Sequence, residues 1–188
     1  MPSTGCSNPA VRSQVTKFLQ ALYNAGGGPK LKGVFYFTEK NLNPQNWEGD
    51  SDEFWNTLNE TCDLVVGEHY HNYEFIFSNS LTQLENHFFA LPKWLNKSGK
   101  KAQMEIATQK YAVLHSSYYG PDTKGWAGVQ SEKHNITALE KYFQYLVQAT
   151  RQSEFGKRLI SFGPLPSKDL ESRVYPVIAK VLNQDAKK

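Results

Sequence analysis

Glu68, His69 and His71 follow directly on the apolar run Cys62-Asp63-Leu64-Val65-Val66-Gly67, so a carboxylate and two imidazoles arrive where a hydrophobic segment stops. A continuous apolar run reads as a strand buried on both faces, and in α/β sheets ligands bind beyond the carboxyl ends of the strands. Three other short apolar runs end in a similar way. Leu31 to Thr38 leads into Glu39, Tyr111 to Leu114 into His115, Ser116 and Tyr118, and Arg158 to Phe162 carries Ser161. If these strands share a direction, all of these groups reach one edge. Two carboxylates on consecutive strand ends, Glu39 and Glu68, can divide acid, base or nucleophile roles across a glycosidic bond when their environments push their pKa values apart. Glu68 and Glu39 are therefore the expected catalytic pair. His69, Tyr70, His71, His115, Tyr118 and Trp126 are the expected substrate-binding groups, and Trp47 and Trp55 are further rings suited to stacking on sugar faces.

Other chemistries are less well served. His69 and His71, two apart, lie on one side of an extended chain, and with His115 and a carboxylate they have the donor types of a zinc or iron site. Hydrogen-bonded histidines lining a polar cleft account for the same spacing, and no metal is expected. His87 and His134 read as helix-surface and loop residues. Ser116 and Ser117 lack a Gly-x-Ser-x-Gly elbow. The triplet Gly26-Gly27-Gly28 precedes a strand, the wrong order for cradling phosphate at a helix N-terminus. No cofactor is expected. Gly67, between the apolar run and Glu68, implies a close backbone approach or an unusual dihedral angle.

The elements that must position these groups alternate. Val11, Val15, Phe18, Leu19 and Leu22 recur at helical spacing between the cap Asn8-Pro9 and Gly26, which predicts a helix over 9–25 with that stripe on one face. The strand at Leu31 to Thr38 enters a polar loop, Glu39 to Pro44. Asp50-Ser51-Asp52 caps a helix to about Leu58, and the strand from Cys62 to His71 follows at once. Leu81, Leu84, Phe88 and Leu91 predict a helix over 80–95 with Pro92 as its kink or break. Gln103 to Gln109 is ambiguous, the strand at Tyr111 follows, and the loop to Asn135 holds Trp126. Leu139, Tyr142, Phe143, Leu146 and Val147 mark a helix from Ala138 to about Phe155, and a last helix runs from Ser167 to about Leu182. This order predicts an α/β fold of alternating helices and short buried parallel strands, as a half-barrel or a small open sheet. One domain is expected over 1–188, with flexible ends at 1–8 and 183–188.

Composition limits the partners. The 188 residues carry a formal charge of +3 with scattered lysines and arginines, which is no nucleic-acid footprint. No run approaches the ~20 apolar residues of a membrane span, and no signal peptide is visible. A cytoplasmic location is the default. Asn59-Glu60-Thr61, Asn96-Lys97-Ser98 and Asn135-Ile136-Thr137 fit the glycosylation pattern and would imply secretion if used. Cys6 and Cys62 read as two thiols, or as one disulfide in an oxidising compartment.

Through Gly67-Glu68-His69-Tyr70, Gly125-Trp126 and Phe162-Gly163-Pro164-Leu165, the chain resembles part of a glycoside-hydrolase-type (β/α) barrel. Over its last fifty residues, Tyr142-Phe143-Gln144-Tyr145 and Phe162-Gly163-Pro164-Leu165-Pro166 are similar to the C-terminal end of periplasmic phosphate-binding proteins. The barrel resemblance implies a carbohydrate-like small molecule acted on or bound at the strand ends. The alternative is a noncatalytic ligand- or partner-binding domain of the same architecture. With about half the strands of a barrel, the sheet would have an unfinished edge, and association into an oligomer through that edge is expected.

Overall fold

The computed structural model describes residues 5–30, 32–70, 78–116, 144–145, 147–148, 154–155, 160–162, 176 and 179–183. Helix α1 (Pro9–Ala25) opens where the cap predicts: the Asn8 carboxamide oxygen accepts from the backbone N–H groups of Ala10 and Val11 at 2.9 and 3.3 Å, and Pro9 takes the first helical position. Its apolar stripe is only partly covered, with Val15 and Leu19 half-buried. Val11, Phe18 and Leu22 are exposed, whereas Arg12 and Thr16 are buried.

The physical reason for this inversion lies in Arg12. Its guanidinium donates to the carbonyls of Cys6 and Ser7 at 3.0 and 3.1 Å and to those of Glu48 and Asp50 at 2.6 and 2.8 Å, and it lies 5.5 Å from the centre of the Trp47 ring. Four carbonyl dipoles and an aromatic face replace its hydration shell, so the side chain is only 3% exposed. This contact holds the segment before α1 and the loop at Glu48 to Asp50 against α1 itself. Ser7 adds a bond from its N–H to the Asn41 side-chain oxygen at 3.1 Å.

Strand β1 (Gly33–Phe37) is followed by a short helix α2 (Glu39–Leu42), where a polar loop was predicted. Leu42 supplies the reason, since it is buried and draws the chain back onto the sheet. Helix α3 (Asp52–Thr61) leads without a loop into β2 (Cys62–Tyr70). Beyond it, the single helix predicted over 80–95 is two, α4 (Leu81–Phe88) and α5 (Ala90–Lys97). The break falls at Phe89 rather than Pro92, which sits in the first turn of α5, where its missing N–H costs nothing. Helix α6 (Lys101–Glu105) and a π-helical turn at Ile106–Lys110 resolve the ambiguous stretch and deliver β3 (Tyr111–Ser116), and β4 spans Ile160–Phe162. Gln144, Tyr145, Val147 and Gln148 are helical, as are Pro176 and 179–183, within the two helices predicted there.

The strands form a small open sheet in the order β1-β2-β3-β4, an α/β fold. β1 and β2 are parallel, with Val34 beside Leu64, Tyr36 beside Val66 and Phe37 beside Gly67. By contact density the chain divides into two compact units, one of Met1–Glu68 with Phe88–Val113 and one of His69–His87 with Leu114–Lys188. The core of the first lies between the sheet and its helices. Phe35 and Phe37 meet Phe54 at 6.0 and 6.1 Å between ring centres, and Trp55 packs on Phe37 and Trp47 at 5.7 and 4.7 Å. Polar ties join α3 to α6: Gln103 and Lys100 reach the Asp52 carboxylate, and the Asn59 side chain donates to Glu105 at 2.6 Å. In the second unit the Tyr145 hydroxyl donates to the Asn79 carbonyl at 3.1 Å.

Gly67 is required by close approach and not by its dihedral angles, since its φ is not positive. A β-carbon there would stand 2.0 Å from the Tyr111 hydroxyl, 2.8 Å from that ring and 3.0 Å from Leu42. Gly67→Ala is accordingly expected to lower unfolding free energy by about 1–3 kcal/mol in urea titrations. Adding Tyr111→Phe, which removes the nearest atom, should recover part of the loss. Arg12→Met should cost about 3 kcal/mol, because it leaves buried carbonyls without a donor, and Arg12→Lys should recover little of it since an ammonium cannot span four carbonyls held in a fork; the same titrations check both.

Candidate functional site

The register sets the site. Phe37 and Gly67 are partners, so Glu68 lies one residue and Glu39 two residues beyond the last paired position of adjacent parallel strands. Both expected catalytic residues thus fall at the carboxyl end of the β1–β2 pairing. Glu68 is half-buried and still within β2; Glu39 heads α2. The floor beneath this edge is the packed group of Gly67, Tyr111 and Leu42. Tyr111 is fully buried, its hydroxyl donates to the Phe88 carbonyl at 3.3 Å, and burial pushes its ionisation well above the ordinary range.

Alternation along β2 divides the chemistry. Phe35 and Phe37 turn toward α3, and Gly67 meets Tyr111 on that same helical side, so Val34, Tyr36, Leu64, Val66 and Glu68 belong to the opposite face. His69 returns to the helical side. There it is 1% exposed and its ring meets that of His87 edge-on, 5.4 Å between centres. The surface role expected for His87 is corrected by this contact: the ring is half-buried, and desolvation lowers its pKa below the ordinary 6.5.

Other expected site residues fall elsewhere. The backbones of Tyr70 and His115 lie in β2 and β3, and His71, Tyr118 and Trp126 lie outside the described residues. Trp47 and Trp55 do not present free faces to a ligand. Trp55 is completely buried, and Trp47 is taken up by Arg12, Phe54, Trp55 and Trp94, with its indole N–H donating to the Asn41 carbonyl at 2.9 Å. Sequence reasoning missed Tyr111 and Leu42 because nothing in a linear run shows which residues fill the space above a glycine.

Among the described residues no group of three or more histidines, cysteines, aspartates or glutamates is arranged to hold a metal ion, and no helix is long and apolar enough to cross a membrane. Cys6 and Cys62 are free and buried, and burial pushes the Cys6 thiol up to about 11. Asn59, the first residue of one glycosylation pattern, sits within α3 with its amide nitrogen bonded to Glu105. Comparison of the chain with known protein families, curated proteins and solved structures finds no match.

The His87 environment predicts a pH dependence of stability. The folded protein favours the neutral imidazole, whereas the unfolded chain takes up a proton near pH 6.5. The contribution is therefore fully present above that value and is lost as pH falls below it, levelling off once the folded-state pKa is passed. Melting temperatures followed from about pH 7.5 to about pH 5 should fall, and His87→Gln should flatten the part of the slope due to this group.

Proposed function

We propose that the carboxyl edge of the sheet acts on or binds a carbohydrate, with Glu68 as acid or nucleophile and Glu39 as its partner carboxylate. The observation that carries this reading is the β1–β2 register, by which Glu68, still within β2, lies one residue past the last pair of the two parallel strands and Glu39 two residues past it. A noncatalytic ligand-binding role has its own support: the Trp47 and Trp55 rings are spent on the core, which leaves fewer faces for a distorted sugar.

Turnover of 4-nitrophenyl glycosides, in both anomers of the common hexoses and pentoses, separates the two readings. Glu68→Gln and Glu39→Gln are each expected to lower kcat/KM by at least ~100-fold with the melting temperature little changed. A glycoside bound without turnover by the wild type favours the noncatalytic role. A Glu68→Gln protein that fails to fold marks the residue as structural. Carboxyls ~5–5.5 Å apart give retention of anomeric configuration, and a wider pair ~6.5–9.5 Å apart gives inversion, which NMR of the first-formed sugar reads directly.

A further inference from the structure

We propose that the open edge of β1 is a self-association site, where a second copy of this chain adds its own β1 in antiparallel pairing and the two sheets become one. The inference does not draw on the carbohydrate reading.

β1 stands at the end of the strand order, with β2 as its neighbour in the sheet. A strand in that position presents a row of N–H and C=O groups to any further strand, and native edges are commonly guarded by charge, proline or a bulge. Gly33-Val34-Phe35-Tyr36-Phe37 carries neither charge nor proline. Its register irregularity falls at the first residue, between Gly33 and Val34, and leaves Val34 to Phe37 regular. The preceding residue, Lys32, has its ammonium 3.9 Å from the Asp63 carboxylate, on the side of β2 rather than of the open edge.

Exposure marks the edge as accessible. Gly33 is exposed, and without a side chain that exposure belongs to its backbone. Val34 is 51% and Tyr36 56% exposed, whereas Val66, the partner of Tyr36 in β2, is 5% exposed. Uncovered apolar surface in this pair of strands is thus concentrated in β1, beside the place that a strand from another molecule would take.

The sequence of the strand suits a copy of itself. Antiparallel pairing about a two-fold axis at Phe35 sets all five residues of one β1 against all five of the other, with Val34 opposite Tyr36 twice. Pairs of a β-branched and an aromatic side chain are favourable across strands. An axis at Tyr36 would set Lys32 against Lys40 of the other copy, and an axis at Val34 would set Lys32 against Tyr36. Alternate residues of a strand direct their backbone groups to the same neighbour, so whichever set faces β2, the other set meets its equivalents across the axis: Phe35 with Phe35, or Val34 with Tyr36. Five residues a side bury well under the ~800 Å² per partner of a standard interface, so the dimer is of the weak, concentration-dependent class.

Sedimentation velocity of the full chain is expected to show a monomer–dimer equilibrium with Kd of about 0.1–1 mM. Val34→Lys with Tyr36→Lys should raise Kd at least ~10-fold, because like charges then oppose one another at both pairs, whereas Val34→Lys with Tyr36→Glu, which opposes unlike charges, should stay within about threefold of wild type. Both positions are largely exposed, so melting temperatures should change little. Wild-type protein that is monomeric throughout overturns the proposal, and so does an equal loss in the two double variants or a wild-type Kd in the first of them. Amide hydrogen exchange of wild-type protein decides the matter if either variant fails to fold. Protection of Gly33 to Phe37 must rise with protein concentration, and a dimer that forms with those amides unchanged overturns the assignment to β1.

Discussion

The contact of Gly67 with Tyr111 and Leu42 is the constraint on which the site depends. A phenol oxygen occupies the volume that any β-carbon at position 67 would need, so β2 and β3 can lie side by side only with glycine there. Leu42 fills the adjoining space and brings the short helix headed by Glu39 down onto the sheet. One residue past this contact stands Glu68. The backbone position of Glu68 is thus fixed by large-on-small packing at the residue before it. Packing of this kind resists displacement because a close-packed interior has no room to relax into.

A second consequence follows from strand order. When β1, β2 and β3 neighbour one another in sequence order and each crossover is right-handed, the connecting helices fall on the same face. The contacts agree: α3 covers Phe35 and Phe37, and α6 is tied back to α3 through Asp52 and Asn59. The apolar residues of β1 on the other face, Val34 and Tyr36, are exposed as a result of that order and not through a failure of packing. In a closed barrel the corresponding face is filled by side chains from other strands. Here it remains as surface in β1, although Val66 in β2 is buried on the same face.

Much of this was legible in the linear chain, for reasons that differ by element. Helix α1 was bounded by its cap and its glycine, local devices that act within a turn, and β2 was marked by an unbroken apolar run. What α1 buries was not legible. Periodicity locates an apolar stripe but cannot reveal that Arg12, one residue beside it, has four carbonyls and an indole face waiting in segments as distant as Glu48 and Asp50. The same limit explains Trp47 and Trp55, whose ring chemistry suits either a sugar or a core, and whose neighbours in space decide for the core. It explains His87, which reads as a surface residue until the His69 ring is set against it.

The cluster Glu68-His69 illustrates a more general point about reading chemistry from consecutive residues. In an extended strand neighbours point to opposite faces, so residues adjacent in sequence are poor candidates to act on one substrate together. Glu68 shares its face with Tyr36 and Val66, while His69 is buried on the other face against His87. By register Tyr36 lies across the sheet on that face, and Glu39 follows the end of the neighbouring strand. The imidazole that follows Glu68 in sequence therefore belongs to the packing of the strand end.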